Sequence, residues 1–172
     1  GIHLPDADFL QAVQKACNET ETVFILDEIQ SGFGRTGAFF AFQHLGVEPD
    51  IISMAKGMGN GFPVGGILLH PKFKASYGLL GTTFGGNHLA CAATLAVLEV
   101  IEQENLIANA RKQGKILLDA LAQLKAPVEV RGVGLMIGVE LDAPVAALRK
   151  KLLFEHGIFT GSSSNPNVIR LL

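Results

Sequence analysis

Val23-Phe24-Ile25-Leu26-Asp27-Glu28-Ile29-Gln30-Ser31-Gly32-Phe33-Gly34-Arg35-Thr36-Gly37 begins as an apolar run and ends as a glycine-rich loop. Residues 23–26 are rich in strand formers and too few for a helix. Such a run suits a strand buried on both faces of a parallel sheet. The pattern returns at Asp50-Ile51-Ile52-Ser53-Met54-Ala55-Lys56, which leads into Gly57-Met58-Gly59-Asn60-Gly61. A third short strand is expected over residues 65–69. In open parallel sheets, ligands sit beyond the carboxyl ends of the strands. Asp27, Glu28 and Lys56 stand at that end of the first two strands. Asp27 and Lys56 therefore form either a binding site or a structural ion pair, and spacing alone leaves both open.

Working outward, residues 5–19 carry a helical period through Phe9, Leu10, Val13 and Ala16 or Cys17, with Asp6 or Asp8 as the cap. Residues 38–45 read as a short helix. Residues 81–87 form a polar turn ahead of sustained helical periodicity over 89–124, which reads as two helices meeting near Glu104-Asn105. The character then changes. Residues 128–131 and 135–141 read as strands around a Gly132-Val133-Gly134 turn, residues 144–156 as a helix, and residues 157–160 and 167–171 as strands. The expected architecture is α/β with a mainly parallel sheet over residues 1–108, followed by a linking helix and a smaller α+β unit over 109–172.

Composition narrows the function. The chain has 172 residues, 48% of them apolar and 17% charged, enough to bury a core. Its formal net charge of −2 argues against nucleic acid, with Lys and Arg scattered except at Arg149-Lys150-Lys151, which reads as a solvated helix face. No apolar run reaches the ~18 residues of a membrane span. Cys17 and Cys91 lie far apart without metal-type spacing, which suits free thiols in a reducing cytoplasm. Gly1-Ile2-His3-Leu4-Pro5 reads as mid-protein sequence, and Val168-Ile169-Arg170-Leu171-Leu172 reads as a strand with nothing to close it; both ends look cut.

Several motif readings are weak. Gly32-Phe33-Gly34-Arg35-Thr36-Gly37 matches G-x-G-x-x-G, but Asp27 to Ser31 separate it from the strand, so glycines making a tight turn are the simpler account. The loop after Lys56 lacks a G-K-[ST] ending. His3, His44, His70, His88 and His156 show no zinc spacing, and no metal is expected. Gly81-Thr82-Thr83-Phe84-Gly85-Gly86-Asn87, ahead of a helix, offers hydroxyls and amides to either a phosphate or a cap.

Taken together, these segments resemble one family. Residues 26–37 look like the aspartate motif of the class III pyridoxal-phosphate-dependent aminotransferases, and residues 49–57 look like its cofactor-lysine motif. Residues 81–87 with Leu89-Ala90-Cys91-Ala92-Ala93 are similar to its third block, and Arg131-Gly132-Val133-Gly134-Leu135-Met136 to a block of its small domain. The order and spacing agree over essentially the whole chain. The likeness is greatest to the acetylornithine branch, with ornithine, succinylornithine and 4-aminobutyrate enzymes as neighbours. His88 and Leu80 depart from a usual Pro and His.

The resemblance implies a fold-type I transferase with pyridoxal 5'-phosphate as cofactor. It gives Lys56 covalent attachment of the cofactor and then acid–base duty. Asp27 would hold the ring nitrogen, Gln30 the phenolic oxygen and Thr83 the phosphate from a neighbouring subunit, so a homodimer is implied. Arg170 would grip a substrate carboxylate. The implied reaction passes the terminal amino group of N-acetylornithine to 2-oxoglutarate, in cytoplasmic arginine biosynthesis. About half the family's length would precede Gly1. The isolated chain is therefore expected to be inactive, or to serve only as an interaction module.

Overall fold

A computed structural model describes residues 1–79 and 81–172. Leu80 lies outside the described residues. Helix α1 spans Ala7–Glu19. Asp6 occupies its N-cap position with extended backbone, but its side chain makes no capping bond. The helix is held from its side instead: Gln11 donates to the Leu45 carbonyl at 2.9 Å, and Gln14 exchanges bonds with the Glu48 backbone.

Strands β1 (Ile25–Asp27), β2 (Ile51–Met54) and β3 (Gly66–Leu69) form one sheet in that order. β1 and β2 are parallel and β2 and β3 antiparallel, so the sheet is mixed rather than mainly parallel. A parallel return needs a crossover of roughly a dozen or more residues, usually a helix. Between Met54 and Gly66 the chain makes only a 3₁₀ turn, Lys56–Met58, and turns back. Burial of β1 on both faces is also not met. Phe24 is buried, yet Ile25 is 56% exposed, because β1 is an edge strand that this chain covers on one side. The helix expected over 38–45 contracts to a 3₁₀ turn, Ala41–His44. Phe40, Ile52 and Met54 form the core beneath, with Phe33, Phe39, Phe42 and Met58 packed against it.

Helices α2 (His88–Gln103) and α3 (Leu106–Ala122) meet where the periodicity placed the break, with Asn105 in the left-handed conformation at φ 53°. Strands β4 (Pro127–Val133), β5 (Met136–Leu141) and β6 (Val168–Leu171) form a second, antiparallel sheet. β4 continues through Val133, and the turn falls at Gly134, φ 55°. Helix α4 spans Ala146–His156. The strand expected over 157–160 does not form. Gly157 and Ile158 donate to Leu153 and Leu152 to close α4, and Arg149 takes the Thr160 carbonyl at 2.7 Å. Those groups are no longer free for a ladder, and only Gly161 bridges β6, at Arg170.

The two halves meet at the first glycine loop. Leu135 donates to the Arg35 carbonyl at 2.9 Å, and Arg111 to the Gly37 carbonyl at 2.7 Å. Gly114 of α3 lies so close to Gly134 that a Cβ there would stand 2.1 Å from the Gly134 oxygen.

Candidate active site

Because β1 and β2 are parallel, Asp27 and Lys56 are delivered past the same edge of the sheet; Asp27 pairs in register with Ser53. Both side chains are exposed. Asp27 accepts from the Ile29 amide at 2.9 Å, which turns the chain after β1. Among the described residues no ion pair joins Asp27 to Lys56. The alternative of a structural ion pair is therefore not realised, and the two charges stand separately available at one edge.

Lys56 sits at φ 46°, in the left-handed region that a long side chain rarely adopts. Such strain persists only where neighbours over-determine it, and it concentrates at functional sites. Here the neighbours are visible. Met58 donates to Ala55 and Gly59 to Lys56, closing the 3₁₀ turn. Gly57 lies under Phe33, where a Cβ would come within 3.3 Å of the Phe33 Cβ. Phe33 itself has φ 57° and rests on Phe39, ring centroids 5.2 Å apart. The two glycine loops thus share one aromatic support.

Gln30 and Lys56 line one cleft of about 610 Å³, with Phe33, Arg35 and Asn60 from the loops and Val97 from α2. Asp27, Thr83 and Arg170 are not on its wall. Thr83 is exposed on the turn before α2, and that turn is closed within itself. Thr82 Oγ1 accepts from Gly85 at 3.2 Å, and Asn87 Oδ1 caps α2 by accepting from Ala90 at 3.0 Å. Arg170 lies on β6, where its Nε is buried without a hydrogen-bond partner. An orphaned guanidinium nitrogen is costly and is usually explained by a ligand or an unseen partner.

Two features escaped the reading of sequence. Glu28 is 3% exposed and has no cation partner among the described residues. Its carboxylate accepts from the Phe42 amide at 2.9 Å and the Ser31 hydroxyl at 2.5 Å, fixing the loop that carries Gln30. An acid next to Asp27 was visible, but not that the chain folds back onto it. Arg35 is an exposed cation on the Lys56 cleft, whereas its glycine neighbours suggested only a turn.

The Aminotransferase class-III family profile matches residues 1–172. The chain belongs to the class III aminotransferases. It is 45% identical to the acetylornithine aminotransferase of Bacillus subtilis over 100% of this chain and 46% of that protein. It is 47% identical to the acetylornithine aminotransferase of Methanocaldococcus jannaschii over 100% of this chain and 44% of that one. Among solved structures, the ornithine δ-aminotransferase of Plasmodium falciparum superposes with a TM-score of 0.88 at 32% identity, covering 99% of this chain and 46% of that one. The ornithine aminotransferase of Toxoplasma gondii, described with partial occupancy of PLP at its active site, gives 0.88 at 30% identity, covering 99% and 43%. This class III chain thus spans less than half the length of the relatives it matches.

Class III aminotransferases use pyridoxal phosphate, and the groups present here suit it. An exposed carboxylate and an exposed amine, not paired with each other among the described residues, stand at one sheet edge, beside a glycine turn where a Cβ at Gly57 would crowd Phe33.

Proposed function

We propose that the protein containing this chain is a pyridoxal-phosphate-dependent transaminase. It moves the terminal amino group of N-acetylornithine to 2-oxoglutarate, leaving an aldehyde on the donor and glutamate from the acceptor. The observation that carries this reading is the delivery of Asp27 and Lys56, unpaired with each other, to one edge of the sheet. The family supports the reaction class, and the acetylornithine aminotransferases at 45% and 47% identity support the donor.

When bound, the cofactor supplies an electron sink for the carbanion left by deprotonation of the donor carbon. Lys56 Nζ holds the cofactor and moves the proton at the donor carbon. Asp27 would keep a proton on the cofactor's ring nitrogen, and Gln30 would hold its phenolic oxygen. Thr83, exposed on the turn before α2, would hold the phosphate of the cofactor bound by a second subunit in a homodimer. Arg170 takes a substrate carboxylate in its bidentate fork. The large cofactor-binding domain ends at residue 108, and the enzyme works in the cytoplasm within arginine biosynthesis.

The 172-residue chain alone is inactive. Its uncovered apolar surface supports this: Ile67, Leu68 and Leu69 of β3 are each about half exposed, and Leu89 of α2 is 71% exposed. Turnover assays of the full-length protein test the donor. N-acetylornithine should give a higher kcat/KM than ornithine, N-succinylornithine or 4-aminobutyrate, each with 2-oxoglutarate. A better kcat/KM with any of the other three would reassign the substrate.

A further inference from the structure

Phe33 is a large apolar residue set between two glycines, Gly32 and Gly34, and its backbone takes φ 57°. Glycine holds that conformation without steric cost, so the turn alone does not call for a phenylalanine. The side chain answers to its contacts. A Cβ built on Gly57 would stand 3.3 Å from the Phe33 Cβ and 3.8 Å from its Cγ. Apart from the chain neighbours of Gly57, no other described residue comes within 4 Å of that point. Phe33 therefore lies directly against the residue that follows Lys56.

The turn that carries Lys56 is short, Lys56–Met58. Met58 donates to the Ala55 carbonyl at 3.0 Å and Gly59 to the Lys56 carbonyl at 3.2 Å, and neither bond leaves the turn. Packing from outside comes from the core beneath Met58 and from Phe33 on Gly57. Phe33 is itself braced. Gly34 donates to the Phe39 carbonyl at 3.2 Å, which folds the first loop back and sets the two rings 5.2 Å apart. Phe39 meets Phe40 edge-on at 4.8 Å, and Phe40 stacks on Phe42 at 5.7 Å. The Phe42 amide is the one held by buried Glu28. A continuous line of packed groups thus runs from the Lys56 turn to the floor of the first loop.

We propose that Phe33 is a positioning residue for Lys56: packed on Gly57, it holds the left-handed Lys56 backbone and so fixes where the Lys56 amine stands. The inference rests on Lys56 being the cofactor lysine of the proposed reaction. A strained backbone persists only while its neighbours over-determine it, and Phe33 is one of the few neighbours here. A lysine amine lies about 6 Å from its Cα, so a backbone rotation of about 10° moves it about 1 Å. A misplacement of that size can cost up to about a hundredfold in rate.

The test uses the full-length protein. Phe33→Gly leaves the φ 57° backbone unstrained and removes only the side chain. In the holoenzyme it should lower kcat about tenfold with little change in KM. In the apoprotein, where no turnover is involved, the Met58 and Gly59 amides should exchange with deuterium about tenfold faster. Phe33→Leu keeps a Cβ and apolar bulk over Gly57 and should stay within about threefold of the parent in both readouts. Gly57→Ala pushes on Phe33 from the opposite side and should move both readouts in the same direction; it carries the test if Phe33→Gly does not fold. Added to Phe33→Gly, it should cost nothing further, because the Cβ it would meet is gone. Losses that add in the double variant overturn the proposal. So does a lowered thermal midpoint in Phe33→Gly with kcat and exchange at Met58 and Gly59 unmoved, which would make Phe33 a packing residue only. Borohydride trapping on the parent holoenzyme separates the two possible failures. Label on a lysine other than Lys56 refutes the reading of Lys56, whereas label on Lys56 beside an unaltered Phe33→Gly enzyme refutes the role of Phe33 alone.

Discussion

Glu28→Ala removes a buried carboxylate whose two oxygens hold the Phe42 amide and the Ser31 hydroxyl. The site is 3% exposed, so water does not readily replace the lost acceptor. Hydrogen bonds to a charged group contribute about 1.5–3 kcal/mol each, and a buried donor left unpaired costs about 1–3 kcal/mol. The Ser31 hydroxyl can rotate to another partner, so most of the cost falls at Phe42. A local destabilisation of about 3 kcal/mol is expected there. Every 1.4 kcal/mol is tenfold in an equilibrium, so the Phe42 amide should exchange with deuterium roughly a hundredfold faster. Glu28→Gln keeps an oxygen for Phe42 and an amide that can donate to Ser31, and should quicken exchange by less than about tenfold. Hydrogen exchange on the full-length protein separates the variants, with helix α3 as an internal standard. Unchanged exchange at Phe42 in Glu28→Ala would refute the reasoning, because the buried latch would then hold nothing.

Other consequences are simpler. Gly114→Ala would bring a methyl to 2.1 Å from the Gly134 oxygen, which is backbone and cannot swing aside. It should cost about 1–3 kcal/mol or more, read as a lowered thermal midpoint. Asp50 accepts from Lys72 and from the Phe24 amide, and these bonds hold its carboxyl below its ordinary value of 3.8. A depressed carboxyl adds stability that is complete above the unfolded value and lost as pH falls through the folded one. Fraying at Phe24 should therefore begin only below about pH 3.8, and in Asp50→Asn that acid dependence should weaken, as judged by exchange at the Phe24 amide.

Reading the sequence succeeded where local signals suffice. The α2–α3 break at Asn105, the two strands flanking the two glycine loops and the β4–β5 hairpin each rest on periodicity or turn residues within a few positions. It failed where partners distant in sequence decide. The run at residues 23–26 has the composition of a doubly buried strand, but composition reports the environment a strand suits, and this chain covers β1 on one side only. The direction of β3 depends on the short link after Lys56, not on its own apolar residues. The placement of Asp27 and Lys56 at or just past the two strand ends was legible because strand ends are local. The burial of Glu28 under the Phe42 amide needed a contact fourteen residues along the chain. The pairing of Arg131 with Gly138 and of Gly138 with Arg170 needed sheet register, which no single sequence displays.

The central claim is that Lys56 carries the cofactor. Borohydride reduction of the full-length protein loaded with pyridoxal phosphate, followed by proteolysis and mass spectrometry, tests it directly. The account predicts a phosphopyridoxyl group on the peptide containing Lys56 and no modified lysine once Lys56→Ala is made. Stoichiometric label on another lysine, such as Lys72 or Lys74, with Lys56 untouched, would contradict it.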